Sequence, residues 1–147
     1  MNLGAFLVVM VVANATGRED MAAYRGLAQR GAAFPAVCMA VFLFSLTGLP
    51  PMAGFIGKLL LFAAIIEAEF YVLAVVALIN TVISLYYYVR IVRTMFLEDP
   101  APEDGPVATT PSAVPLLGVL VVLTVLLGVY WGPLLTYSTI SLSFFMK

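Results

Sequence analysis

The chain has 147 residues, of which 63% are hydrophobic and only 10% charged, with a mean hydropathy of +1.09 and a formal net charge of −1. A soluble domain carries about 25% charged residues, so this composition is that of an integral membrane protein, and no basic block points to nucleic acid. Histidine is absent and Cys38 is the only cysteine, which excludes a disulfide framework, a paired-cysteine metal site and the usual neutral-pH proton shuttle. Proton chemistry, if there is any, falls to Lys, Glu, Tyr or water.

The predicted fold class is all-α: a polytopic helical bundle in a membrane, with three complete transmembrane helices and a partial one at the N-terminus. Residues 1–13, MNLGAFLVVMVVA, are apolar but short. No basic segment precedes them and no clear cleavage site follows, so they read as the last part of a helix that begins upstream. Residues 14–33 form a polar connector with Arg18, Glu19, Asp20, Arg25 and Arg30, read as a solvated surface. Asp20 is placed to cap a short interfacial helix over residues 21–29.

Residues 34–49 form the first complete apolar helix, with Pro35 suited to its first turn. Its polar members, Ser45 and Thr47, either satisfy backbone groups freed near Pro50 and Pro51 or line a polar pocket. A second helix covers 52–67. Gly54 and Gly57, at i and i+3, read as close packing against a neighbouring helix, as admission of water to Lys58, or as both together. Glu67, Ala68 and Glu69 then interrupt the apolar pattern. The interruption is either an ordinary surface loop or a discontinuity of the transporter kind, with 52–67 and 70–97 as two parts of, or neighbours around, a broken helix.

The helix over 70–97 is the longest. Asn80, Ser84 and Tyr88 recur every four residues and share one face, which should meet protein rather than lipid, either to bond helices together or to carry protons. Tyr86, Tyr87 and Tyr88, followed by Arg90 and Arg93, have the character of an interfacial aromatic belt with snorkelling cations. Residues 98–112 are acidic and proline-rich, a solvent loop. Residues 113–131 make the last uncharged span, with Tyr130 and Trp131 at its interface, and 136–147 read as a short apolar tail along the surface.

Lys58 stands out in this pattern. No other residue between Arg30 and Glu67 carries a charge. If Pro50 and Pro51 mark the membrane surface, Lys58 is roughly 10 Å deep at the helical rise, and Glu67 lies about 13 Å beyond it. In a hydrocarbon core about 30 Å thick, both estimates place the ammonium near the middle, where a lysine costs on the order of 2.5–3.5 kcal/mol and marks a functional site by default. The bland alternative is snorkelling, for which a stem of about 6 Å falls short from that depth. Desolvation penalises the charged form of an amine, so a buried one can take and release a proton near neutrality. The sequence offers no carboxylate partner inside the membrane, because Glu67 and Glu69 are expected at its surface.

FLFSLTGLPPMAGFIGKLLLF, followed by LAVVALINTVISLYYYVRIVRTMF, resembles the C-terminal part of the subunit N family of bacterial NADH-quinone oxidoreductase (respiratory complex I). The leading NLGAF and the connector ED…YRGLAQR fit the same family, while the last span is similar only in character. The resemblance implies an antiporter-like fold of inverted repeats with discontinuous helices, and proton translocation coupled to quinone reduction elsewhere in the complex. It places Lys58 on the family's lysine in the second broken helix, toward the exit side of the proton path. Gly54, Gly57, Ser45, Thr47, Asn80, Ser84, Tyr88 and Glu67 are candidates for its supporting residues.

No cofactor is expected in this chain, with NADH, FMN, iron-sulfur clusters and quinone held by other subunits. The implied partners are the other membrane-arm subunits, the lipid bilayer and protons, and the implied location is the bacterial inner membrane as a multi-pass protein. The family's upstream glutamate and its two other lysines belong to earlier helices, so the chain alone is not expected to pump. Related subunits of multisubunit cation/proton antiporters share the PP–GF–GK pattern and supply the alternative function; a structural fragment without independent transport is the third. A sister pump subunit commonly has glutamate at the Lys58 position, which favours subunit N. The family implies a cytoplasmic 98–112 loop. A count that puts Arg18, Arg25, Arg30 and Lys147 on one side, and Arg90 and Arg93 on the other, favours the reverse orientation; the family's orientation is the one expected here.

Overall fold

A computed structural model describes residues 1–102, 104–132 and 136 of the chain. The expected surface tail over 136–147, including Lys147, lies outside the described residues but for Thr136. Among the described residues the chain is all helical: α1 (Asn2–Thr16), a four-residue 3-10 turn (Met21–Tyr24), α2 (Ala33–Thr47), α3 (Ala53–Glu67), α4 (Tyr71–Leu97) and α5 (Ala113–Val129). Of the described helices, α4 alone is long and apolar enough to cross a bilayer unaided. At 1.5 Å per residue, α2 and α3 are each about 22 Å long, short of the hydrocarbon thickness.

The stop signals are local. α1 ends at Gly17 and α2 at Gly48, both left-handed (φ 68° and 91°), where glycine carries no Cβ penalty. The Gly48 N–H donates to the carbonyls of Phe44 and Ser45, closing the last turn of α2.

The path of the chain follows from a few contacts. α1 runs antiparallel to α2, with Gly4 against the Phe42 ring and the Ser45 hydroxyl donating to Met1 Sδ at 2.7 Å. α3 starts beside the end of α2, where the Gly54 N–H donates to Ser45 Oγ at 3.2 Å. The chain reverses over Ala68–Phe70, with Glu69 at φ 61°. α4 then returns past Lys58, whose Nζ is 3.5 Å from Thr81 Oγ1. It finishes at the entry to α2, where the N–H groups of Gly26 and Ala28 donate to the Thr94 and Met95 carbonyls. One antiparallel helix thus passes first α3 and then α2, so those two run in the same direction as segments of one broken path. α5 accompanies them, with Gly118 near Phe34 and Gly128 against the Pro51–Ala53 backbone.

This path corrects the side assignment drawn from the sequence. Counting α2 and α3 as separate crossings puts the 14–33 connector opposite the 98–112 loop. The two segments instead dock on each other. The Val107 N–H donates to the Arg30 carbonyl at 2.9 Å, and Arg30 Nε donates to the Gly105 carbonyl at 2.9 Å. Arg18, Arg25, Arg30, Arg90 and Arg93 therefore all lie toward one end of the bundle.

The connector differs in two further ways. Asp20 makes no side-chain cap to the turn that follows it, and its carboxylate instead accepts from Arg18 at 3.0 Å. That guanidinium holds the Asp20 carboxyl below its usual range. Nor is Arg30 solvated. It is 8% exposed, donates to the Ala23 carbonyl at 3.0 Å, and stands 3.9 Å from the buried Asp104 carboxylate. Next to it, burial pushes the Tyr24 phenol up.

The core sits at this end, built from Val8, Val12, Leu27, Phe42, Met95 and Leu117, all fully buried. α3 has no buried residue.

Candidate functional site

The site is the break at Gly48–Met52. α2 stops there because Gly48 turns left-handed and Pro50 and Pro51 supply no backbone N–H to continue it. A helix that stops inside a membrane leaves its last carbonyls and the next helix's first N–H groups without intrahelical partners. Lipid offers none, so side chains must serve both ends.

Ser45 serves the start of α3, since its hydroxyl accepts from the Gly54 N–H. Lys58 serves the end of α2: its ammonium donates to the Thr47 carbonyl at 2.7 Å. The negative end of a helix dipole, equivalent to about −0.5 charge, favours a cation in that position. Thr47 contributes through its carbonyl, while its hydroxyl is engaged with the Leu43 carbonyl at 2.9 Å. On the other flank Thr81 donates to the Ala77 carbonyl at 2.9 Å, which leaves its oxygen lone pairs toward Lys58. An open pocket of about 300 Å³, lined by Gly48, Phe55, Leu59 and Phe62 besides these polar residues, lies against the amine.

Of the sequence candidates, the structure brings together Lys58, Ser45, Thr47 and Gly54. Gly54 is needed for close approach: a Cβ there would run into the Ser45 carbonyl, so the two helix segments could not meet. Gly57 faces open space, where its missing side chain relieves no contact. Asn80 is exposed, Ser84 donates to its carbonyl at 2.8 Å, and Tyr88 packs on the core near the connector. None of the three bonds to Lys58. Glu67 lies exposed at the far end of α3, about 13 Å along the axis. The ion pairs among the described residues all lie at the connector end, and none includes Lys58.

Two residues beside Lys58 escape the sequence reading. Thr81 sits one position from Asn80, about 100° around the helix, and faces α3. Gly48 borders the lysine stem, where a Cβ would come 2.9 Å from Lys58 Cδ. The signal for Gly48 was present in its position two residues before the proline pair. Thr81 carried no signal beyond being a hydroxyl in an apolar helix.

Comparison with known proteins bears on this arrangement. Residues 1–84 match the family model described as NADH:quinone oxidoreductase/Mrp antiporter, TM. Over 97% of its length the chain is 52% identical to NADH-quinone oxidoreductase subunit N 2 of Sorangium cellulosum. Over 99% it is 44% identical to NADH-quinone oxidoreductase subunit N of an Anaeromyxobacter species. Over 95% it is 41% identical to NAD(P)H-quinone oxidoreductase subunit 2 of a Synechococcus species. The chain spans 29%, 29% and 28% of the length of these three relatives, respectively.

Proposed function

The chain belongs to the NADH:quinone oxidoreductase/Mrp antiporter transmembrane family, and on that premise we propose that it is the Lys58-bearing part of a subunit N that relays protons across the bacterial inner membrane. The observation that carries the reading is the 2.7 Å bond from the Lys58 ammonium to the last carbonyl of α2, at a break within a membrane path. A carbonyl can accept a hydrogen bond but not the proton itself. It therefore holds the charged amine in place while a remaining N–H faces the pocket, where water can receive or deliver a proton. Thr81 gives the amine a second acceptor, so the head can swing between two anchors without losing both bonds.

In this reading α2–α3 and α4 each make one crossing, and α5 runs beside α2 from the connector end to the break, where Gly128 meets the Pro51–Ala53 backbone. Five arginines at the connector end favour that end as cytoplasmic, in agreement with a cytoplasmic 98–112 loop. The amine then lies inward from both surfaces. NADH, FMN, iron-sulfur clusters and quinone belong to other subunits, and this chain holds no cofactor. Its partners are the remaining membrane-arm subunits.

The test is proton translocation by the complete complex in proteoliposomes, with Lys58→Ala and Lys58→Arg. Arginine keeps the charge and the bond to Thr47 but does not release a proton at physiological pH. A relay predicts that both variants lower the protons moved per NADH oxidised. A purely structural pairing predicts that arginine preserves them, and wild-type translocation in both variants would overturn the proposal.

A further inference from the structure

Away from the break, α4 carries a second group of cations that the relay does not use. Arg90 and Arg93, at i and i+3, share a face near the C-terminal end of α4. They line a recess of about 370 Å³ together with Tyr86, Val89 and Glu98. Both arginines are exposed, and neither has an ion pair among the described residues. Glu98 does not neutralise them. Its carboxylate pairs with Arg25 at 3.4 Å and accepts from the Thr94 hydroxyl at 3.1 Å. Counting Arg25 and Glu98 as one neutral pair, the recess keeps two positive charges.

Its setting narrows the ligand. Toward the N-terminus of α4 the same helix exposes Val82, Ile83, Tyr86 and Val89, a flank suited to hydrocarbon. Three consecutive tyrosines mark the headgroup level. Cations at that level beside an apolar flank match a molecule with an anionic head and an aliphatic tail. Guanidinium groups bind phosphate oxygens in a planar, two-pronged geometry.

We propose that the Arg90–Arg93 recess binds the phosphate diester of an anionic phospholipid, whose acyl chain lies along Val82, Ile83 and Val89. The site is distinct from the Lys58 pocket and does not depend on proton relay.

The test uses the complete complex in nanodiscs containing a photoactivatable phosphatidylglycerol or the matching phosphatidylcholine, with labelled peptides identified by mass spectrometry. The wild type should label residues 82–97 preferentially from phosphatidylglycerol. Arg90→Gln should lower that preference about fivefold, and Arg90→Gln with Arg93→Gln about thirtyfold. The double lysine variant should keep most of it, which separates lost charge from misfolding. Equal labelling by both lipids would overturn the proposal, as would unchanged preference in the double glutamine variant. Two other results would also overturn it: loss of lipid label in excess inorganic phosphate, which would make the ligand a free anion, and absence of label from either lipid, which would mean that protein covers the face.

Discussion

α2 and α3 have the same length, fifteen residues, and both are apolar. Yet nine residues of α2 are buried and none of α3. The two segments continue the same path, so composition does not separate them; their neighbours do. α2 is enclosed by α1, the connector, α5 and the C-terminal half of α4, and it behaves as a core helix. α3 has α5 on one flank and the N-terminal half of α4 on another, and among the described residues the rest of its apolar surface is exposed. Lys58 stands at the junction: its backbone belongs to the open segment, while its ammonium is anchored on the enclosed one. The relay proposed above uses that anchor to hold the amine beside the pocket.

The sharpest way to break this contrast is to cut the same kind of contact from each half. Phe42 is 0% exposed, whereas Leu61 is 56% exposed. Phe42→Ala should destabilise the bundle by about 3–5 kcal/mol through the cavity it leaves. Leu61→Ala should change stability by less than about 0.5 kcal/mol. Thermal or denaturant unfolding in a fixed detergent checks both, and equal losses would erase the distinction.

A smaller effect separates the two glycines of α3. Gly54→Ala forces a methyl group against the Ser45 carbonyl and should cost about 1–3 kcal/mol by overpacking. Gly57→Ala meets open space and should gain a few tenths of a kcal/mol up to about 1 from helix propensity. The same unfolding assay reads the difference in sign.

The smallest effect is one of pH, and it belongs to the connector. The folded-state pKa of Asp20 is depressed by its bond to Arg18. Its contribution to folding is thus present above the unfolded value of about 3.9 and is lost as pH falls through the lower folded value. Amide-exchange protection over residues 18–24, taken relative to the intrinsic rate at each pH, should fall below about pH 4 in the wild type. Asp20→Asn should lack that acid-dependent step.

The helical character and the lone lysine were legible in the sequence for simple reasons. Apolar runs separated by the charged connector, the proline pair and the acidic 98–112 loop mark where helices start and stop, and a single charge among them is visible without coordinates. The direction of the chain through Gly48–Met52 was not legible, because a proline pair suits a reversal and a break equally well. That one ambiguity carried the connector to the wrong side of the bundle. The polar stripe on α4 misled for a related reason. Fourfold spacing picks out Asn80, Ser84 and Tyr88 as a face, but which face meets α3 depends on the helix's rotation, and Thr81 is the residue that turns toward the amine. Arg30 looked like any arginine in a polar connector. Its burial depends on the 98–112 loop folding over it, a contact between segments some 75 positions apart in the chain.

The account rests on α2 and α3 forming one crossing with Lys58 at its break, and sided thiol labelling tests this most directly. Single cysteines replacing Gln29, Glu69 and Ala101 in the full-length subunit, probed in sealed vesicles of known orientation with a membrane-impermeant maleimide, report which surface each position faces. The account predicts that positions 29 and 101 label from one side and position 69 from the other. Labelling of positions 29 and 69 from the same side would make α2 and α3 a hairpin, place the Gly48–Met52 segment at the opposite surface, and contradict the account.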